Sequence, residues 1–360
     1  MKTTSILLLI NLLFVSAALA QEPHPAETRA RMMVSEMLNK QGIPGLSIAV
    51  AVDNKIIWSE GFGFADLENP VRVTPKTAFR VGSISKLFTA VALAKLFERG
   101  MLDLEAPIQM YVPDFPKKQY EITSRQLAGH LSGIRHYEKR TDFINFQHYT
   151  SVSDGLKAFQ NDPLSFQPGS RYGYSSYGYV LLSNVVQGAA KQDFVRFLQD
   201  EIFNPLNMKN TYVDDIQTLI PNRSRFYSKS STGKTINEMF TDNSDRIGAG
   251  GFLSSSEDLV RFGSAMLANK LIGAETRSLM FTSQRTKDGT ETGVGLGWRI
   301  GKDKKGRIIY HHGGTSAGGR AFVIVYPKSK VVIAMVCNLT VAKFAEREIE
   351  TIAALFIESI

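Results

Sequence analysis

The chain has one cysteine in 360 residues, and this scarcity excludes two ways of stabilising a fold. A single thiol cannot form an intramolecular disulfide, and it cannot build a metal site from several thiolates. Cys337 ends the apolar run 331–337, so we expect it to be buried and to serve packing. Folding must therefore depend on a hydrophobic core, and we expect neither a metal ion nor an organic cofactor.

The apolar run at the N-terminus is short for a bilayer span, which takes about 20 residues. It covers residues 6–15, follows Lys2, and is followed by Ala18, Leu19 and Ala20. This order is typical of a secretory signal peptide cleaved after a small residue, here Ala20, although an uncleaved N-terminal anchor is an alternative. No cysteine stands at the junction for lipid attachment. We expect a periplasmic or secreted protein with no stable membrane span after cleavage.

Positive charge is in excess but is nowhere concentrated. The net charge is +8, and its sources, such as Lys117, Lys118 and the basic residues of 302–307, are scattered. A nucleic-acid groove requires a basic stripe interleaved with aromatic side chains. We therefore expect no nucleic-acid partner and assign the excess charge to solvated surface.

Strand-like segments lie at both ends of the chain, with helices between them. Apolar periodicity and turn residues predict helices over 28–39, 83–100, 256–268 and 342–358, and strands over 46–52, 55–64, 295–301, 307–311, 321–326 and 331–338. We predict an α/β (α+β) fold in which both chain ends build one antiparallel sheet flanked by helices, with an inserted, mainly helical lobe.

The same pattern predicts a division of the chain into lobes. Residues 1–20 are assigned to the signal peptide, residues 21–82 and 241–360 to the sheet lobe, and residues 83–240 to the helical lobe. Ligand sites commonly lie between such units, so the active site is expected in the cleft between the two lobes.

A candidate nucleophile stands beside a candidate base in Ser83-x-x-Lys86. A serine hydroxyl is a poor nucleophile until a neighbouring group takes its proton. Residues three apart on a helix share a face, with Cβ atoms about 5–6 Å apart, so Lys86 can reach Ser83. Free N–H groups at the helix start favour a developing oxyanion. For this role, burial or a nearby cation must lower the lysine pKa from about 10.4.

This spacing alone is weakly specific. Ser231-x-x-Lys234 repeats it within the polar run 228–234, where no apolar helix follows. Serine is also a favoured helix N-cap, which offers a purely structural role for Ser83. The helical context favours Ser83 over Ser231, and other elements must decide between catalysis and capping.

Two further segments carry suitable groups. Segment 172–179 contains four tyrosines, of which we expect at most one to be functional and the others to serve packing. Segment 311–319 has two adjacent histidines followed by glycines that let a ligand approach the backbone. The N–H of Thr315 could complete an oxyanion hole with that of Ser83. A plain hairpin loop is the alternative, and a metal site is disfavoured because no partner stands at a ligand spacing nearby.

Together these elements resemble the serine β-lactamase and penicillin-binding-protein superfamily. The similarity is greatest to its class C-like branch, which includes the mitochondrial serine β-lactamase-like proteins and their bacterial relatives. It extends over nearly the whole chain after the signal peptide. The motifs that carry it are 81–86 (VGSISK), 93–96 (LAKL), 130–137 (HLSGIRHY), 168–170 (PGS), 250–254 (GGFLS) and 312–314 (HGG).

The resemblance implies a catalytic set. Ser83 is the expected nucleophile and Lys86 its partner, while Tyr174 stands at the tyrosine of the family's Y-x-N motif. Either Lys86 or Tyr174 could be the general base. His130 and the segment around it are expected to shape the helical lobe rather than to touch the substrate.

The resemblance also implies a substrate-binding set of Ser176, His312, Gly314 and Thr315, in which His312 is favoured over His311 for the position of the K-T-G lysine. Ser176 replaces the Y-x-N asparagine and cannot present both an amide donor and an amide acceptor. Histidine, with a usual pKa of about 6.5, carries only a fraction of a positive charge at neutral pH. Both departures argue against efficient recognition of penicillins, and neither an S-D-N motif nor a class A-like glutamate is found.

The function expected is that of an exported serine hydrolase that forms an acyl-enzyme on Ser83. Its partner would be a small-molecule or peptide substrate with an ester or peptide bond, with weak β-lactamase activity at most. Loops 137–150 and 281–292 are expected to form the cleft walls. The alternatives are a D,D-carboxypeptidase or true class C-like β-lactamase, and a non-catalytic, self-assembling scaffold of the same fold. The sequence leaves the oligomeric state open.

Overall fold

The computed structural model describes residues 25–343 and 346–359. The predicted signal peptide and its cleavage site after Ala20 lie outside the described residues. Within the described ranges, every helix is too short or too polar to cross a membrane.

Strands lie towards both ends of the described chain and most helices lie between them, as predicted. The α-helices of the described residues are α1 (Pro25–Gln41), α2 (Ser85–Glu98), α3 (Ser124–Ala128), α4 (Arg140–Phe143), α5 (Ser176–Ala190), α6 (Phe194–Leu198), α7 (Ile247–Gly250), α8 (Ser256–Leu267), α9 (Ala274–Met280) and α10 (Glu346–Ile357). The strands are β1 (Gly45–Val52), β2 (Lys55–Asp66), β3 (Val71–Arg72), β4 (Phe79–Arg80), β5 (Tyr212–Val213), β6 (Tyr227–Lys229), β7 (Thr235–Asn237), β8 (Phe252–Ser254), β9 (Arg299–Lys302), β10 (Ile308–Ser316), β11 (Gly319–Tyr326) and β12 (Val331–Cys337).

The main sheet joins the two ends of the described chain. Its order is β3-β2-β1-β12-β11-β10-β9, and all neighbouring strands are antiparallel. At its centre β1 pairs with β12, from Leu46 opposite Cys337 to Val52 opposite Val331. The predicted fold, an antiparallel sheet built from both chain ends with a helical insert, is confirmed. The short strands β5, β6 and β7 lie within the predicted helical lobe, whose limits stay a prediction.

Two hydrophobic clusters cover the two faces of the sheet. In β12, Val332 and Val336 belong to the cluster that contains residues of α2 and α8, whereas Ile333, Met335 and Cys337 belong to the cluster with α1 and α10. This alternation follows from the two-residue period of a strand, and it explains why β12 is apolar at every position. Cys337 is buried, as expected.

The turn between β1 and β2 is a two-residue hairpin turn, as the sequence Asp53-Asn54 between the two predicted strands indicates. Asp53 and Asn54 have φ values of 49° and 67°, as in the two-residue hairpin turns that match the twist of the flanking strands. Asn and Asp tolerate this left-handed region better than most residues, which is why the pair predicts the turn.

Several element limits differ from the prediction, and three of these differences concern α2, β10 and β9. Helix α2 begins at Ser85, because Ser83 lies in a preceding 3-10 turn, Gly82–Ile84. Strand β10 continues to Ser316, so the glycine-rich segment after His311 is mostly extended strand. Strand β9 begins at Arg299, because the residues before it are bent rather than extended.

A buried asparagine ties the end of β12 to the N-terminal strands. Asn338 Oδ1 accepts from the N–H of Gly45 at 2.8 Å, and its Nδ2 donates to the carbonyl of Phe64 and to Ser224 Oγ, both at 3.0 Å. Asn338 is fully buried. Its side chain therefore satisfies backbone groups that water cannot reach.

Replacing this asparagine should destabilise the fold. Asn338→Ala leaves the Gly45 N–H and the Phe64 carbonyl without these partners, at about 1–3 kcal/mol for each buried group. We expect a loss of about 2–4 kcal/mol in the free energy of unfolding, measured by urea denaturation. Asn161→Ala, at an exposed position, is the control and should change it by less than about 0.5 kcal/mol. Equal effects of the two substitutions would contradict this assignment.

Candidate active site

Ser83 lies in a tight turn that packs against strand β10. Gly82 in this turn has a φ of 51°, and a Cβ there would lie 2.5 Å from the carbonyl oxygen of Thr315. From the other side, a Cβ on Gly314 would lie 1.9 Å from the carbonyl oxygen of Val81. The two glycines thus let turn and strand approach to backbone contact. This contact brings together the segments that carry the N–H groups of Ser83 and Thr315.

The Ser83 hydroxyl meets both candidate bases. Lys86 Nζ donates to Ser83 Oγ at 3.0 Å, and the Tyr174 hydroxyl donates to the same oxygen at 2.8 Å. Ser83 is partly exposed, whereas Lys86 is fully buried. Neither the turn nor helix α2 has a side-chain N-cap, so Ser83 is not a capping residue. The hydroxyl is instead accessible and in contact with two titratable groups.

The second match to the serine–lysine spacing has no such surroundings. Ser231 and Lys234 are exposed in the turn between β6 and β7, and no helix follows them. No hydrogen bond between the two side chains occurs in the structure as described. Of the two serines, Ser83 is therefore the one whose hydroxyl is hydrogen-bonded to the lysine three residues later.

Lys86 Nζ is buried among oxygen acceptors. Besides Ser83 Oγ, it donates to the carbonyl of Ala249 at 2.6 Å and to Ser176 Oγ at 3.1 Å. Burial lowers the pKa of Lys86; Tyr174 opposes this effect and Arg246 adds to it. Within the described ranges no carboxylate forms an ion pair with Lys86. A lysine pKa below the usual range is the condition that proton transfer near neutral pH requires.

The pKa of Tyr174 is also lowered. Burial raises it, but the nearby Lys86 and the hydrogen bonds with Ser83 and Lys86 outweigh burial, and Arg299 acts in the same direction. The lysine and the phenol influence each other's charge, so they titrate as a pair rather than independently.

The other tyrosines of the cluster have structural contacts. Tyr179 is buried and donates to the carbonyl of Ala128 at 2.8 Å. Tyr177 stacks on Phe159 with ring centroids 4.6 Å apart. Tyr174 is the member whose hydroxyl reaches Ser83 Oγ, and the prediction that at most one of these tyrosines is functional stays a prediction.

His130 holds Tyr174 in place. Their ring centroids lie 4.4 Å apart, and His130 Nδ1 accepts from the N–H of Ser175 at 3.2 Å. His130 is buried, and burial together with Lys86 keeps its pKa well below the usual value. The structure places it in the helical lobe behind Tyr174, as expected.

His312 is a neutral group beside Lys86 and Tyr174. Its ring centroid lies 6.4 Å from that of Tyr174, whereas the ring of His311 stacks on that of Phe322, with centroids 5.6 Å apart. Burial and Lys86 lower the pKa of His312 to about 3. Its Nδ1 is 2.7 Å from the carbonyl oxygen of Gly313, which can only accept. Nδ1 therefore carries the proton, and Nε2 is an acceptor.

A cleft of about 600 Å³ opens beside Ser83. Its lining contains six of the seven predicted site residues, and Lys86 lies behind them. The lining residues from the helical side are Ser83, His136, Tyr137, Phe143, Tyr174 and Ser176, and those from the sheet are Arg299, His311, His312, Gly313, Gly314, Thr315, Arg320, Ala321 and Phe322. No carboxylate side chain of the described residues lines the cleft, so its two guanidinium groups make it electropositive.

Strand β10 has an open edge within the cleft. Strand β9 pairs with β10 only from Ile308 to His311, whereas β11 pairs with it through Ser316. On the side of β10 away from β11, no strand in the described part of the chain pairs with residues 312–316. Backbone N–H and C=O groups on such an edge can bind an extended chain.

Sequence reasoning missed both arginines of the cleft. Arg299 is exposed, and its guanidinium carbon lies 5.9 Å from the ring centroid of Tyr174. Arg320 donates through Nε to the carbonyl of Ala342 at 2.9 Å, and its Nη1 hydrogen bonds to Thr315 Oγ1. Isolated basic residues in strands give no signal in the sequence. The pairing of β9 and β11 with β10 is what places them in the cleft.

Of the two loops predicted to form the cleft walls, one lines the cleft and the other does not. Loop 137–150 contributes Tyr137 and Phe143, but residues 281–292 do not line the cleft. The latter loop packs on the helical lobe, where the N–H of Lys287 donates to the carbonyl of Gly169 at 2.8 Å. His136 does line the cleft, although its segment was expected only to shape the lobe.

Comparison with known proteins agrees with this geometry. A family model described as Beta-lactamase matches residues 30–356. The human protein named "Serine beta-lactamase-like protein LACTB, mitochondrial" is 30% identical over 416 residues, covering 86% of this chain and 76% of its own length. The resemblance stated from the motifs is confirmed.

Solved structures share the fold. A D-stereospecific amidohydrolase from Streptomyces sp. superposes with a TM-score of 0.77 at 25% identity, covering 90% of this chain and 97% of that chain. The octameric penicillin-binding protein homologue from Pyrococcus abyssi superposes with a TM-score of 0.80 at 23% identity, covering 92% and 77%. At these identities the likeness supports the architecture, and the roles of individual residues need their own tests.

The buried, neutral state of His312 should make stability depend on pH. Its pKa is about 3 in the folded chain and about 6.5 when unfolded, so the unfolded state binds more protons below pH 6.5. This stabilisation is present above pH 6.5 and is lost as the pH falls towards 3. From pH 7 to pH 5, the wild type should lose about 2 kcal/mol more unfolding free energy than His312→Gln, measured by urea denaturation. Equal losses would contradict the assignment.

Proposed function

Because the chain belongs to the beta-lactamase family, we propose that it is an exported serine hydrolase that forms an acyl-enzyme on Ser83. The observation that carries the proposal is the Ser83 hydroxyl, accessible from the cleft and hydrogen-bonded to both Lys86 Nζ and Tyr174. The substrate is a small ester or a peptide. Export rests on the N-terminal sequence pattern with cleavage after Ala20.

In the acylation step, Ser83 Oγ attacks the substrate carbonyl carbon. The hydroxyl proton passes to the Lys86–Tyr174 pair, and the new C–O bond places a negative charge on the carbonyl oxygen. The N–H groups of Ser83 and Thr315 stabilise this oxyanion. When the tetrahedral intermediate collapses, the pair returns the proton to the leaving alcohol or amine.

Within the pair, the surroundings of Lys86 favour Tyr174 as the proton acceptor. Nζ faces three oxygen acceptors, namely Ser83 Oγ, Ser176 Oγ and the Ala249 carbonyl, which suit an ammonium with three N–H groups. The ammonium in turn stabilises the phenolate. In deacylation, the same pair takes a proton from the attacking water and returns it to Ser83 Oγ.

The neutral state of His312 supports the view that β-lactams are poor substrates. With a pKa of about 3, this imidazole has no positive charge at neutral pH, and its Nε2 accepts rather than donates. It therefore offers no attraction to a β-lactam carboxylate at the K-T-G position. Simple esters and amides lack that carboxylate and do not need the attraction.

A second candidate function, carboxypeptidase activity, is favoured by Arg320. Its guanidinium reaches Thr315, whose N–H is assigned to the oxyanion hole, and no carboxylate lines the cleft in the described residues. A C-terminal carboxylate next to the scissile bond would therefore have a cation close by.

The nucleophile is tested with an activity-based probe. Ser83→Ala should abolish covalent labelling by a fluorophosphonate, because it removes the cleft hydroxyl that both Lys86 and Tyr174 contact. Ser231→Ala, which removes the second match, is the control and should label like the wild type. Intact mass spectrometry reports both results, and loss of labelling in Ser231→Ala alone would refute the site.

The role of Arg320 is tested with a pair of peptides. Arg320→Gln should reduce kcat/KM for a peptide ending in D-alanyl-D-alanine about tenfold more than for the same peptide with a C-terminal amide, because only the first carries the anion. Arg196→Gln, on the exposed side of α6, is the control and should leave the ratio unchanged. Equal losses on both peptides would exclude carboxylate recognition by this residue.

A further inference from the structure

On the helical side of the cleft, two of the polar side chains are already hydrogen-bonded within the site. Ser176 stands where the family has asparagine, and its hydroxyl accepts from Lys86 Nζ. The Tyr174 hydroxyl is held by Ser83. Phe143 has no polar side-chain group. A carbonyl oxygen turned towards this wall can accept from the N–H that His136 carries.

His136 is a further polar side chain of this wall, and its proton position follows from one contact. His136 Nδ1 lies 3.2 Å from the backbone nitrogen of Ser176, whose N–H can only donate. Nδ1 must therefore be the unprotonated nitrogen. Burial and Lys86 lower the pKa of His136 to about 4, so the ring is neutral at pH 7 and its single proton is on Nε2.

The His136 ring is held in one orientation by its aromatic neighbours. It stacks on Tyr137 with centroids 4.7 Å apart and packs edge-on against Tyr174 at 5.2 Å. The ring is half-buried and lines the cleft. Within residues 25–343 and 346–359, Nε2–H has no hydrogen-bond partner. It is thus a fixed neutral donor beside the catalytic tyrosine.

We propose that His136 is a substrate-positioning residue whose Nε2–H donates to an amide carbonyl in the acyl part of the substrate. This inference rests on the proposed acyl-enzyme function and names its substrate class, N-acylated amino acids and peptides rather than simple fatty esters. An extended acyl chain could lie along the open edge of β10 and turn this carbonyl towards His136. A neutral N–H donor suits an amide carbonyl, whereas the two arginines suit anions.

Two variants distinguish the loss of the Nε2–H donor from the loss of the contact between His136 Nδ1 and the Ser176 N–H. In His136→Asn, the side-chain oxygen can replace Nδ1 as acceptor for the Ser176 N–H, but no atom reaches the position of Nε2. In His136→Gln, the side-chain amide nitrogen reaches about that position and can donate. His148→Asn, outside the cleft, is the control.

The measurement is the ratio of kcat/KM for two p-nitrophenyl esters of equal chain length, N-acetylglycinate and pentanoate. The ratio should fall about tenfold in His136→Asn, the effect of one lost hydrogen bond of about 1.4 kcal/mol. It should stay within about threefold of the wild type in His136→Gln and be unchanged in His148→Asn. An unchanged ratio in the Asn variant, or an equal fall in the Gln variant, overturns the proposal.

A second measurement uses the wild type and does not depend on variant folding. Acetamidomethylboronic acid and butylboronic acid both bind a reactive serine, but only the first carries the amide. The proton resonance of His136 Nε2–H should move downfield with the first ligand only, and the absence of this difference overturns the proposal. Fluorophosphonate labelling of the same sample reports separately on Ser83, so failure of the acyl-enzyme function would be recognised as such.

Discussion

The burial of Lys86 Nζ is the constraint on which the site depends. A buried amine must find hydrogen-bond partners inside the protein, and these come from three parts of the chain: the turn of Ser83, the start of α5 at Ser176, and α7 at Ala249. Meeting this one requirement brings the helical insert and the segment before β8 onto helix α2. The same burial lowers the pKa of Lys86, so the contacts that complete the fold also prepare the group for proton transfer.

The second constraint is the close approach of two backbones. A Cβ at Gly82 or at Gly314 would overlap the opposite main chain, so the turn of Ser83 and strand β10 can touch only because both positions are glycine. This contact fixes the N–H groups of Ser83 and Thr315, the proposed oxyanion hole, relative to the proposed nucleophile. Strand β10 is itself held by β11, and β11 by β12, which pairs with the first strand of the chain. The geometry of the oxyanion hole thus depends on the sheet that joins both ends of the described chain.

Features of this arrangement that depend only on residues close together in the sequence could be predicted from the sequence. The Asp53–Asn54 turn, the apolar alternation of the strands, and the Ser83–Lys86 spacing are of this kind, and the motif resemblance added Tyr174 and His312. Prediction failed where the cause was tertiary. The strand was predicted to end at His311, but it continues through the glycines, which let β10 contact the turn of Ser83. Arg299 and Arg320 enter the cleft only because β9 and β11 pair with β10. The tautomer of His136 depends on a residue 40 positions away, so no sequence pattern records it.

The cleft contains imidazole side chains that are neutral and guanidinium groups that are positively charged. The imidazoles of His136 and His312 are neutral because burial and the nearby Lys86 both disfavour a second positive charge. The guanidinium groups of Arg299 and Arg320 stay charged, since arginine does not lose its proton in proteins. The two imidazoles nevertheless differ in polarity, because a backbone N–H fixes His136 as a donor at Nε2 and a carbonyl fixes His312 as an acceptor. Hydrogen bonding to neutral groups and binding of anions are therefore assigned to different side chains around the Ser83 hydroxyl. A substrate that uses both must carry an amide and an anionic group at separate points.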